Sequence, residues 1–300
     1  MTTLEPPADA LDPFRLPRTT VPVRYDVALE PDLDSATFCG TVAIVIDTID
    51  PSPYLVLNAI ELEIDGCRLD GESTPFRLEP DDERLFVLPP QGIQPGEHVV
   101  EFEFRGVLND QLRGFYRSTY RDEAGNERVI ATTQMQSTDC RRAFPCWDEP
   151  DFKAVFGMTL VVAPDLLAVS NGPEAERTID PDGNTVVRFA DTMVMSSYLV
   201  AFVVGPLEAT DWTDVDGIPV RIVHLPGKHD LTGFGLEVAA FCLRWFQDYN
   251  GIAYPGDKVD LLALPDFAAG AMENHRSIKF LENLQLVDPA TATQGKRCRL

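Results

Sequence analysis

One carboxylate, Glu273, follows Gly270, Ala271 and Met272 in a stretch where glycine and alanine leave room for a second extended backbone. Such a backbone can pair with the N–H and C=O groups here, as peptides do at sheet edges. A carboxylate beside that edge can grip a cation carried by the peptide through a charge-assisted hydrogen bond. The alternative is a loop carboxylate facing water, where most acidic side chains lie. Other chemistries find no support: there is no Gly-x-Ser-x-Gly turn and no phosphate-cradling glycine loop. Ser196 and Ser197 lie in a strand context without a nearby histidine, which reads as structural.

The elements that must position Glu273 come just before it. Residues 259–264 form an apolar run opened by Tyr254-Pro255-Gly256-Asp257 and closed by Pro265 and Asp266, which predicts a buried strand. Residues 231–248 carry Phe234, Val238, Phe241, Cys242 and Trp245 at three- and four-residue steps, which predicts a helix with Asp230 as its cap and Asn250-Gly251 as its stop. With a strand over 218–224, these make the opening of an α/β domain that is unfinished at Leu300. Upstream, residues 21–29 and 36–47 alternate with period two. Shorter β-like runs follow at 54–57, 61–64, 84–88, 98–104, 114–117, 128–135, 155–162, 185–189 and 197–204, with Gly, Pro, Asp and Asn between them, which predicts a β-sandwich. The expected division is a flexible tail over 1–13, a β domain over 14–206 and the truncated start of a second domain over 207–300.

At 300 residues and 44% hydrophobic content the chain can bury a proper core. No stretch approaches the roughly 18 apolar residues of a membrane span, and the first residues have neither a basic head nor an apolar core. Cys39, Cys67, Cys140, Cys146, Cys242 and Cys298 are scattered without a Cys-x-x-Cys pair, so reduced thiols and a cytoplasmic location are expected. Forty-eight acidic against 25 basic residues give a formal charge of −23, which repels nucleic acid and anionic membranes. The same charge draws cationic partners, although plain solubility accounts for it equally well.

Gly270-Ala271-Met272-Glu273-Asn274, with its lead-in Ala263-Leu264-Pro265-Asp266-Phe267, resembles the exopeptidase signature of the aminopeptidase N family of zinc metallopeptidases, the gluzincin aminopeptidases. Residues 133–150 and 195–202 resemble the same family in the same order, and the resemblance runs from about 14 to 289. It implies a mainly β chain: an N-terminal β-sandwich (saddle-like) domain, then the incomplete start of an α/β thermolysin-like catalytic domain. It also implies a zinc-dependent aminopeptidase that releases N-terminal amino acids from peptides with a free amino terminus. Carried over by motif, Glu273 resembles the residue that binds the α-ammonium, and Gln134 and Gln136 resemble amine-side and first-pocket residues lent by the β domain. Gly270 and Ala271 would supply backbone contacts, and Met272 would help shape the first side-chain pocket. For the two glutamines, alternate strand residues satisfying local backbone remain an open alternative. Arg141, Arg142, Asp148 and Glu149 read as structural ion pairing near the domain junction.

The family's zinc site, His-Glu-x-x-His on a helix plus a further Glu, has no counterpart here. The histidines are His98, His224, His229 and His275, and the close pair is split by Pro226 and Gly227. Zinc is therefore expected for the complete enzyme with ligands outside this chain, and the chain as given is expected to hold no catalytic residues. The pattern also departs after Asn274. Where relatives continue with an apolar residue and Gly, then an aromatic-Arg-Glu step, His275-Arg276 and Phe280-Leu281-Glu282 stand here, which could narrow the site or set a cation against the incoming ammonium. The ending, residues 293–300, is more basic than the rest. The rival readings are a non-catalytic peptide-binding protein that keeps the amine anchor, and an inactive fragment with an uncovered helix face.

Overall fold

The computed structural model describes residues 12–288, 290 and 292–293, so most of the expected tail and most of the basic ending lie outside the described residues. Period-two alternation becomes long antiparallel strands. Thr20–Asp32, Thr37–Thr48 and Gly96–Val107 form the middle of a nine-stranded sheet. Thr20–Asp32 also pairs in parallel with Lys153–Val162, Arg24 lying opposite Val155.

Inward residues of this sheet, among them Val27, Ile44, Phe102, Phe104 and Phe156, share one core with Leu57 and Leu85 of a three-stranded sheet and Phe115 and Phe202 of a four-stranded one. The four-stranded sheet comprises Gly114–Arg121, Glu127–Gln134, Leu167–Ser170 and Phe202–Gly205. Tyr25 stacks on Phe156 at 4.7 Å between ring centroids, and its hydroxyl accepts the Trp147 N–H at 3.0 Å. The chain is mainly β, as the alternation requires.

Residues 197–204 do not form one strand. Ser197 donates its hydroxyl to Asp148, and Asn171 donates to the Leu199 carbonyl while accepting the Ala201 N–H, so local side-chain bonds replace the ladder and a 3-10 turn, Ser197–Leu199, precedes Phe202–Gly205.

A second, six-stranded sheet sets Ile218–His224, Val259–Leu264 and Ser277–Leu281 in parallel, with the helix Gly233–Asn250 as the crossover after the first of them. Every residue of Val259–Leu264 is buried because both faces are covered. Val259, Leu261 and Ala263 meet the helix side, whereas Leu262 and Leu264 meet the four-stranded sheet.

Two helix expectations need correction. Thr232, not Asp230, sits at the cap position, and Asp230 belongs to the preceding turn His229–Leu231. The residues facing the sheet are Leu236, Ala239, Ala240 and Leu243, whereas Phe241 and Trp245 are 64% and 45% exposed. The approach is close enough that a Cβ on Gly235 would lie 3.1 Å from the side chain of Ile222 in the sheet and 2.8 Å from that of Gln285 in the short helix Glu282–Gln285, so small residues fit here and the aromatics are turned outward. Trp245 stacks on Tyr249 at 4.7 Å instead. Gly251, at φ 64°, ends the helix where the Asn250-Gly251 pair places the stop. Among the described residues no helix is long and apolar enough to cross a membrane.

Candidate functional site

The two sheets that carry the expected site residues meet in one apolar cluster. Ile130, Val169 and Val203 come from the four-stranded sheet, and Val223, Leu262, Leu264, Phe267 and Met272 from the six-stranded sheet or its loops. Polar ties surround it. The Tyr116 hydroxyl donates to the Asp266 carbonyl at 3.1 Å, Asn171 donates to the His275 carbonyl at 2.7 Å, and the Ser277 hydroxyl donates to the Ser170 carbonyl at 2.7 Å. Lys279 Nζ donates to the Thr133 carbonyl and, at 2.7 Å, to its hydroxyl.

Within this frame Ala271–Met272 is a short edge strand, antiparallel to Ser277–Leu281, with Ala271 opposite Phe280 and Met272 opposite Lys279. The Gly270 carbonyl accepts the Leu281 N–H at 3.0 Å. Alternation then decides the side chains. Met272, 2% exposed, points into the inter-sheet cluster, whereas Ala271 and Glu273 are exposed, as is Gly270. The Glu273 carboxylate makes no ion pair or hydrogen bond with another described residue. Met272 therefore anchors the strand from beneath.

Gln134 ends its strand 8% exposed, and its Oε1 is buried without a donor among the described residues. Gln136 lies past the strand end and is exposed. Gln134 follows Thr133, and Glu273 follows Met272, so both adjoin the bridge that Lys279 makes. No such tie reaches Gln136 among the contacts of the described residues.

The two bulky groups after Asn274 are turned away from a simple cationic role. Arg276 is buried, donates to the Asp191 carbonyl at 3.3 Å and pairs with Asp257 at 3.2 Å; its φ of 65° is the left-handed region that favours glycine. His275 lies alongside Tyr254, ring centroids 6.1 Å apart, and burial followed by the neighbouring Arg276 holds its pKa below the ordinary value against the pull of Asp257.

The other expected charges are paired. Asp148, 1% exposed, accepts from the Arg141 backbone at 3.2 Å, from its Nε at 3.1 Å and from the Ser197 hydroxyl at 2.6 Å. Arg142 pairs with Asp139 and Glu61, and Glu149 with Arg15 and Arg18. Lys279, and the buried Lys258–Asp260 pair beside it with the half-buried Arg221, escaped the motif reading. The available signal was a lysine set inside otherwise apolar strands.

Among the described residues one group offers three metal-binding atoms close together, Cys140, Cys146 and Asp148. It does not fit a hydrolytic zinc. Both Asp148 oxygens are already engaged, and burial pushes both thiols up, away from the thiolate form that binds metal.

Residues 21–199 match the Peptidase M1 N-terminal domain, and residues 234–300 match the Peptidase family M1 domain. Over 295 residues the chain is 41% identical to "Aminopeptidase M1-C" of Oryza sativa subsp. japonica, covering 96% of this chain and 33% of that protein. It is 40% identical over 296 residues to "Aminopeptidase M1" of Arabidopsis thaliana, covering 95% and 33%. It is 35% identical over 293 residues to "Endoplasmic reticulum aminopeptidase 1" of Homo sapiens, covering 95% and 31%. The chain thus spans about a third of the length of the curated relatives it matches.

Proposed function

This chain belongs to the peptidase M1 family, and from that we propose that it is the N-terminal part of a zinc-dependent aminopeptidase, recognising the free amino end of a peptide, with the zinc ligands outside these residues. The observation that carries this is the exposed, unpaired Glu273 carboxylate next to an open edge strand, with the buried Gln134 Oε1 on the facing sheet. Residues 14–206 form the β domain and 207–300 the opening of the catalytic domain. Glu273 holds the α-ammonium, Gln134 and Gln136 line the amine side, and the backbone of Gly270 and Ala271 pairs with the peptide. Met272 fixes the strand that presents them.

A charge-assisted hydrogen bond of this kind contributes roughly 1.5–3 kcal/mol, enough to prefer a free amino terminus over a mid-chain amide. It breaks no bond. The formal charge of −23 adds a weak pull on cationic peptide ends, and the cysteines without disulfides among the described residues suit a cytoplasmic protein.

Purified as given, the chain is expected to retain no stoichiometric zinc and to hydrolyse no chromogenic aminoacyl substrate, since its sequence lacks the paired histidine ligands that would hold a zinc and so its activated water. Metal analysis with a rate assay checks this. One tightly held zinc per chain together with amidase activity above background would overturn the division of labour proposed here.

A further inference from the structure

Lys279 is 0% exposed in the middle of a parallel strand, at a position where an apolar side chain would be the more stable choice. Its backbone stands opposite Met272 on the edge strand and Leu262 on the central strand. Its ammonium crosses to the other sheet and donates to both the carbonyl and the hydroxyl of Thr133. Among the described residues it has no carboxylate partner, so the lysine adds no ion pair. What it adds is a tie between two strands that are distant in the chain, one ending in Gln134 and the other, Ser277–Leu281, pairing with the short edge strand that leads into Glu273.

We propose that Lys279 is a positioning residue for the amine-recognition site, fixing the Gln134 end of one sheet against the edge at Met272 and Glu273 of the other. This rests on the reading of Glu273 and Gln134 given above. The apolar cluster is non-directional, so the register between the two sheets rests on the polar ties around it, and of those named above it is Lys279, the residue opposite Met272, that reaches Thr133, next to Gln134. Its two hydrogen bonds to Thr133 fix that register locally, at the Gln134 end.

The test is Lys279→Met, which keeps the length of the side chain and removes its donors. Its affinity for a free-amine peptide is expected to fall about tenfold, measured by calorimetry. In the same variant the Gln134 side-chain amide signal is expected to shift in NMR spectra, while the melting temperature rises. A merely structural lysine would move binding and stability in the same direction. If the wild-type chain discriminates between free-amine and N-acetylated peptides and Lys279→Met binds as tightly, or if the Gln134 amide does not move, the positioning role is overturned. Failure of the underlying reading shows differently: the wild-type chain then binds both peptides alike, and the positioning role falls with it.

Discussion

Asp148→Ala is expected to lower the stability of the chain by about 3–5 kcal/mol, since breaking a buried ion pair leaves its partner charged and desolvated. The Arg141 guanidinium, with its side chain 12% exposed, would keep Glu83 at 2.7 Å and lose both its Nε contact and its backbone cap at Asp148. The Ser197 hydroxyl would lose its acceptor as well, at the turn that replaces a strand beside the four-stranded sheet. For a chain of this size the loss corresponds to roughly 10 °C in melting temperature. Asp65→Asn is the control: it removes an exposed, solvent-screened pairing with Arg105 and should leave the melting temperature essentially unchanged. Thermal melts of both variants check the contrast, and a small effect at Asp148 would mean that the buried pair contributes nothing net.

The second large effect has the opposite sign. Burial lowers the Lys279 pKa from its ordinary 10.5 to about 7. The unfolded chain then binds more protons at this site than the folded chain between those values, so stability is lowest below pH 7 and rises as pH climbs toward 10.5. Lys279→Met removes that dependence. Its stability advantage over the wild type is expected to be greater at pH 6.5 than at pH 9.5, by on the order of 3 kcal/mol. Lys258, also lowered mainly by burial, contributes a slope of the same sign but is common to both proteins and cancels in the difference. Denaturant titrations at the two pH values provide the comparison. An equal difference at both would mean that the amine keeps its ordinary pKa and is solvated in the fold.

Much of the architecture was legible where one face of a strand is buried and the other is wet. Residues 98–104 read correctly inside Gly96–Val107 because the buried Val100, Phe102 and Phe104 alternate with the half-buried Glu101 and the exposed Glu103. Glu174–Ile179 escaped, since every residue of it is exposed and no alternation exists to be read. The helix was visible from its period, but not its buried face, because the alanines that let it lie close to the sheet look less hydrophobic than the aromatics left outside. At the site, the string around Glu273 was readable from its resemblance, and the short edge strand that presents it agrees with a carboxylate next to a sheet edge. Lys279 was not readable. A charge in a strand is read as facing water, and its partner Thr133 is 146 positions away.

The amine anchor is tested most directly by calorimetric titration of the wild-type chain and Glu273→Gln with a short peptide and its N-acetylated twin. The free-amine peptide is expected to bind the wild type weakly and the acetylated one not at all, because acetylation deletes the positive charge that the proposed anchor, Glu273, would meet. In Glu273→Gln, which keeps the shape and removes the charge, the preference is expected to vanish while the melting temperature stays within about 1 °C, as befits an exposed side chain without partners. Equal binding of both peptides by the wild type, or an undiminished preference in Glu273→Gln, would contradict the assignment of amino-end recognition to this part of the protein.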